Sequence, residues 1–217
     1  MSNIWFTSDT HYHHSNIVRG TTQWDDKSRC RPFDTLEEHD KTLVDNINKV
    51  VKADDTLYHL GDWSFGGEEQ IYNFRNKLNC RTIHLIRGNH DQHIKVSDYW
   101  KGIGKAQLFT TVNDKLQVKY AGKLFILNHF AERVWDKSHH GSIMLYGHSH
   151  GTLDAMRPEF TEPTWIGDNY FIKNYKTMDV GIDTHPEFRP YHIGEILKIM
   201  ESKDVALNID HHNEKTN

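Results

Sequence analysis

Five short stretches of the 217-residue chain carry residues able to hold a divalent ion and move a proton. They are Asp9-Thr10-His11, Gly61-Asp62, Gly88-Asn89-His90-Asp91, Asn128-His129 and Gly147-His148-Ser149-His150. Their donors are carboxylate, imidazole and amide oxygen, with no cysteine. That set suits Mn, Fe, Zn or related divalent ions rather than a thiolate-bound structural zinc. Asp9 and Asp62 bring negative charge, and one carboxylate can bridge two ions. Two ions about 3.5–4 Å apart share a water, lower its pKa and clamp a phosphoryl group for in-line attack. One polar turn of this kind is ordinary in any surface loop; five are not.

Each stretch closely follows an apolar run that reads as a strand: Ile4–Ser8, Thr56–Leu60, Thr82–Ile86, Lys123–Leu127 and Ile143–Tyr146. Gly88 is read as the residue that lets the backbone bend where its strand ends. Thr35 to Val51 reads as a helix, opened by the capping-box pair Thr35 and Glu38 and striped by Leu36, Leu43, Ile47, Val50 and Val51. Glu68–Leu78 reads as a second helix, with Ile71, Phe74 and Leu78 on one face. A strand–helix–strand order with right-handed crossovers makes the early strands parallel, so Asp9, Asp62 and Asn89 converge on one sheet edge. Further on, Leu116–Tyr120 and Lys123–Leu127 form a hairpin through Ala121-Gly122. Residues 152–176 read as loop, Met178–Ile182 as a strand and Ile193–Met200 as a closing helix. The class is α/β. With no linker and no internal repeat, one domain over 1–207 and a polar tail over 208–217 are expected.

The formal charge of −4 argues against non-specific nucleic-acid binding through net charge, and no basic stripe supports a nuclease on long DNA. Two cysteines, Cys30 and Cys80, suit a reducing compartment better than a disulfide scaffold. Met1–Phe6 lacks the basic and apolar regions of a signal peptide, and no apolar run approaches the roughly 20 residues that span a bilayer. A cytoplasmic protein with no membrane partner is expected. Of the 17 histidines, His59 and His84 fall inside strands and read as packed residues. His139, His140, His211 and His212 read as incidental to any site. Arg19, Arg29 and Arg31 lie in a polar loop, and Arg31 is taken as a contact for an anionic substrate.

Asp9-x-His11, Gly61-Asp62, Gly88-Asn89-His90-Asp91, His129 and Gly147-His148-x-His150, in that order, resemble the signature of the calcineurin-like metallophosphoesterases. Asp179-Val180-Gly181-Ile182-Asp183, with Arg189-Pro190 after it, is similar to the C-terminal pattern of small bacterial and phage members. The resemblance implies a two-sheet β sandwich flanked by helices, with two divalent metal ions at the strand ends. Manganese is favoured, with Fe, Zn or Ni as alternatives. It implies that Asp9, His11, Asp62 and His150 hold one ion, and that Asp62 bridges to a second held with Asn89, His129 and His148. The nucleophile would be a hydroxide between the ions. His90 would stabilise developing charge and protonate the leaving oxygen, with Asp91 orienting it or standing behind it. In small members the stretch after the first motif borders the site, which makes His13 and His14 candidate substrate contacts. Trp63-Ser64 follows Gly61-Asp62 where the protein Ser/Thr phosphatases have Val-Asp-Arg-Gly, so a phosphatase of that type is disfavoured.

The expected reaction is metal-dependent hydrolysis of a phosphoric ester, with a diester favoured by analogy with small members. The partner would be a small-molecule or nucleotide phosphoester, or a nucleic-acid end. A phosphomonoesterase on a small metabolite or nucleotide, and a non-catalytic binding protein on the same fold, are the rivals. A phage-encoded chain would work in the host cytoplasm. The oligomeric state is not legible.

Overall fold

The computed structural model describes residues 2–95, 107–153 and 175–205. In chain order the elements are β1 (Ile4–Thr7), α1 (Leu36–Val50), β2 (Thr56–His59), α2 (Glu68–Lys77), β3 (Thr82–Ile86), β4 (Thr111–Asn113), β5 (Lys115–Tyr120), β6 (Lys123–Asn128), β7 (Ile143–Tyr146), β8 (Thr177–Asp179), β9 (Tyr191–His192) and α3 (Ile193–Glu201). One sheet runs β4-β3-β2-β1-β9 and the other β5-β6-β7-β8. Strands β1 to β4 are mutually parallel, as are β6 to β8; β9 and β5 are antiparallel to their neighbours.

Side chains alternate across a strand, so the central strands serve two cores. Phe6, Ile86, Phe125, Leu127, Ile143 and Leu145 pack between the sheets, closed by Ile193, Ile196 and Met200 of α3. Trp5, Leu57, Ile83 and Leu85 face outward from the first sheet, against Leu43 and Ile47 of α1 and Ile71 and Phe74 of α2. Ile126, Met144 and Tyr146 cover the other outer face with Trp135. The result is the α/β two-sheet sandwich flanked by helices. Leu43 and Ile47 are wholly buried; each contributes roughly 1.5–3 kcal/mol of burial, which is what ties α1 to the sheet.

The Thr35 hydroxyl caps α1 by accepting the Glu38 N–H at 3.1 Å. The Glu38 carboxylate accepts the N–H of Asp34 at 3.0 Å, not that of Thr35, so only half of the expected box forms. The hairpin turn uses left-handed Ala121 and Gly122, as the sheet twist requires. The strand expected over Met178–Ile182 stops at Asp179. The Asp179 carboxylate accepts the Gly181 N–H at 2.8 Å, and this turn leads Ile182–Thr184 into a short 3-10 helix. Strands β4 and β9 escaped the sequence reading because two or three residues carry no alternation. Most of the expected loop over 152–176, and the tail with His211 and His212, lie outside the described residues.

At α3 the capping box is complete. His192 Nδ1 accepts the Gly194 N–H, and the Glu195 carboxylate accepts the His192 N–H at 2.7 Å. The hydrogen bond from Arg189 holds the Glu195 carboxyl down, to about 2. The folded chain therefore favours the carboxylate. This stabilisation is complete above the ordinary value of 4.5 and is lost as pH falls toward about 2. Glu195→Gln should melt below the parent chain at neutral pH, with the gap narrowing as pH falls from about 4.5 toward about 2; thermal unfolding followed by circular dichroism measures it.

Candidate metal centre

Parallel pairing brings the carboxyl ends of β1, β2 and β3 to one edge, where the loops bond to each other. The Asp9 N–H donates to Gly61 O at 2.8 Å and the His11 N–H to Asp62 O at 3.0 Å. From the second sheet, the Gly147 N–H donates to His129 O at 2.9 Å, and the His148 N–H meets both Asp9 carboxylate oxygens. Asp9 (φ 53°), His11 (45°), Asp62 (56°), His148 (68°) and His150 (48°) all have left-handed backbones. Each costs of order 1–3 kcal/mol for a residue with a Cβ, and such strain gathers where side chains must be aimed. Gly88 is required for another reason than a bend. Its φ is not left-handed, but a Cβ there would collide with the carboxylate and backbone nitrogen of Asp62.

Two groups of donors form at this edge. Asp9, His11 and His150 make one and Asp62, His129 and His148 the other, with the ligand atoms of each within 4.8 Å of one another. Asn89 joins the second group, its Oδ1 lying 3.0 Å from His129 Nε2. The buried Asp62 Oδ2 stands 3.5 Å from His11 Nε2 and 3.5 Å from His129 Nε2, between the groups.

The donors fit divalent cations. Both ring nitrogens of His11 are buried without a hydrogen-bond partner, a costly arrangement for an imidazole with nothing to coordinate. His129 Nδ1 donates to Leu60 O at 2.7 Å, which leaves Nε2 as a bare lone pair facing the Asn89 oxygen. Two acceptors 3.0 Å apart repel unless a cation lies against both. Burial is the first cause of the shifts at His129, His11, Asp9 and Asp62. It lowers His129 to about 4 and His11 well below its ordinary range, with Arg31 adding to the latter, so both rings are neutral and ready to ligate. It raises the Asp9 and Asp62 carboxyls, a penalty on their charged forms that a bound cation reverses.

The remaining site candidates separate. His90 is exposed; its ring lies 5.4 Å from that of His11 and makes no hydrogen bond among the described residues. Its backbone N–H donates to Asp62 Oδ1 at 2.9 Å. Asp91 does not orient the His90 ring. Its buried carboxylate accepts the N–H groups of Asp62, Trp63 and Gly88, bracing one loop against the next. His14 borders the first group, 5.3 Å from the His11 ring and stacked on Phe65 at 3.8 Å. Burial, then His90, lowers its pKa to about 4. His13 leans instead toward α1, its N–H donating to Asp40 Oδ1 at 2.9 Å and its ring 3.5 Å from the same carboxylate. Arg31 is not a substrate contact here. It is 3 % exposed, and its five N–H donors are all taken by Asp9 O, Thr10 O, His39 and Asp183. His59 and His84 are packed, bonded to the hydroxyls of Thr10 and Thr111.

Asp183 received no role in the sequence reading, although it closes the Asp179–Asp183 run that carried part of the resemblance. It lies against His150, its Oδ2 accepting from Nδ1 at 2.6 Å. A chain distance of 33 residues hides that pairing.

Sandwich and donor edge together define a metal-dependent phosphoesterase, and comparison with known proteins agrees. Residues 2–176 match the calcineurin-like phosphoesterase family. An uncharacterised protein of Methanocaldococcus jannaschii is 27% identical over 97% of this chain and 98% of its own length. The gene 66 protein of Mycobacterium phage L5 is 29% identical over 72% of this chain and 82% of its own. A solved protein of unknown function from Aquifex aeolicus shares the fold, with a TM-score of 0.60 at 19% identity, over 92% of this chain and all of that one. The chain belongs to the calcineurin-like phosphoesterase family. No helix among the described residues is long and apolar enough to cross a membrane.

Proposed function

We propose that the chain hydrolyses phosphoric diesters with two divalent metal ions, manganese foremost and Fe, Zn or Ni as substitutes. The observation that carries the two-ion reading is the position of Asp62, one buried carboxylate oxygen 3.5 Å from a histidine of each donor group. When bound, such a pair of ions supplies a nucleophilic water of lowered pKa and polarises the phosphoryl oxygens. Asp9, His11 and His150 would hold one ion and Asn89, His129 and His148 the other, with Asp62 placed to serve both. His90 delivers a proton to the leaving oxygen, its exposed ring making no hydrogen bond among the described residues. His14 and Phe65 wall the approach to His90.

Support for a diester comes from the flanks. Trp24 is 48% exposed and stands 6.3 Å from the His14 ring, while Phe130 is 46% exposed and stands 4.7 Å from the His148 ring. A diester carries an organic group on each side of phosphorus, and a flat one such as a nucleobase can stack on either aromatic. A nucleotide derivative or nucleic-acid end is thus the favoured partner. The free, buried Cys30 and Cys80 accord with a cytoplasmic setting, that of the host if the chain is phage-encoded.

With manganese bound, a diester of a chromophore should turn over at least about tenfold faster than the monoester of the same chromophore, a difference of about 1.4 kcal/mol in barrier. Turnover of the monoester alone would replace this reading with a phosphomonoesterase. Turnover of neither, with metals bound, would favour a binding protein.

A further inference from the structure

The two donor groups are supported by different means. In the second group, His129 is aimed by a backbone carbonyl, Leu60 O. The first group depends on a chain of buried side chains. His150 Nδ1 donates to Asp183 Oδ2 at 2.6 Å, which leaves Nε2 as the nitrogen able to ligate. Arg31 Nε and one terminal nitrogen both donate to that same oxygen, at 3.2 and 3.0 Å. The other guanidinium bonds run to the backbone oxygens of Asp9 and Thr10, the loop that presents Asp9 and His11. The last donor meets His39 Nε2 at 3.0 Å. His39 Nδ1 then donates to Asp40 Oδ1 at 2.9 Å on α1, and Asp40 accepts the His13 N–H.

All three donors of the first group are therefore held from one point. Asp183 sets the ring of His150, and Arg31 holds Asp183 together with the backbone that carries Asp9 and His11. Both are already engaged within the fold: Arg31 is 3 % exposed with all five donors taken, and Asp183, its side chain 15% exposed, turns Oδ2 to Arg31 and His150. Neither touches Asn89, His129 or His148 among the described contacts.

We propose that Asp183 and Arg31 are positioning residues for the first metal ion alone, so that the two ions of the centre are separately controlled by the fold. The inference rests on the two-ion reading above. Supporting carboxylates behind a ligating histidine fix its tautomer and raise its basicity, and losing one typically costs 10–100-fold in metal affinity. Asp183→Asn keeps shape but can no longer offer a charged acceptor to both Arg31 and His150. Arg31→Lys keeps the charge but reduces five donors to three.

The test is manganese binding by the intact chain. It is followed by calorimetric titration and elemental analysis, with paramagnetic resonance distinguishing an exchange-coupled pair from isolated ions. Wild type should bind two ions and show the coupled signal. Asp183→Asn and Arg31→Lys should each retain one ion at unchanged affinity, weaken the other about 10–100-fold, and show the isolated-ion spectrum at limiting manganese. Asp183→Glu, which keeps the charge, should recover part of the lost affinity. Two ions at wild-type affinity in Asp183→Asn would overturn the proposal. So would equal loss of both ions, or failure of that variant to fold at any manganese concentration, since either marks a general scaffold role. Fewer than two ions in wild type would instead refute the two-ion reading beneath it.

Discussion

Asp62→Asn should abolish measurable turnover while the chain stays folded. The side chain is 3% exposed and stands between the donor groups, with Oδ2 3.5 Å from His11 Nε2 and from His129 Nε2. Asn is nearly isosteric and keeps an oxygen to accept the His90 N–H, so the loop bracing survives. What disappears is the negative charge that a pair of divalent ions needs at the point they share. Metal polarisation is worth several kcal/mol of transition-state stabilisation, so the loss should reach about 10³–10⁴-fold or more. Circular dichroism should report a native fold, and elemental analysis should find fewer than the two ions expected of wild type. A variant that holds two ions and turns over at near the parental rate would exclude Asp62 as the bridge. A wild-type chain that binds no divalent ion would exclude the dinuclear reading altogether.

His90→Ala should behave differently, losing about 10²–10⁴-fold in rate, as for a missing general acid, with both ions retained. The reason is in the way His90 serves the edge. Its contribution to the donor groups is a backbone N–H to Asp62 Oδ1, which alanine preserves, while its ring is exposed and makes no hydrogen bond among the described residues. The deficit should shrink for substrates whose leaving group is already acidic, because such a group needs no proton to depart. Comparing a nitrophenolate with an alkoxide leaving group on the same variant measures this. Metal loss on His90→Ala would make the residue a ligand rather than an acid.

Some of this architecture is legible in the chain because the signal is local. A strand followed within three residues by Asp, Asn or His declares both its element and its chemistry. Alternation in Thr82–Ile86, the stripe of Leu43 and Ile47, and the Thr35 cap are likewise written in adjacent residues. Two-residue β9 has no period to read. Asp91 shows the other limit. From sequence it stands next to His90 and is taken to serve it. In the fold its carboxylate faces the backbone nitrogens of Asp62 and Trp63, up to 29 residues away.

Arg31 makes the division plainest. In sequence it is one of three arginines in a polar loop and is read as a substrate contact. Folded, it is buried, with Asp183 from 152 residues away taking up its charge. The sequence by itself determined which residue types end the strands, and hence that the strand ends can bind cations and handle phosphoryl groups. Only the tertiary structure decided which of those side chains meet, and which buried groups hold them. Donor type is a property of one residue, whereas a coordination geometry depends on strand order and on hydrogen bonds between loops distant in the chain.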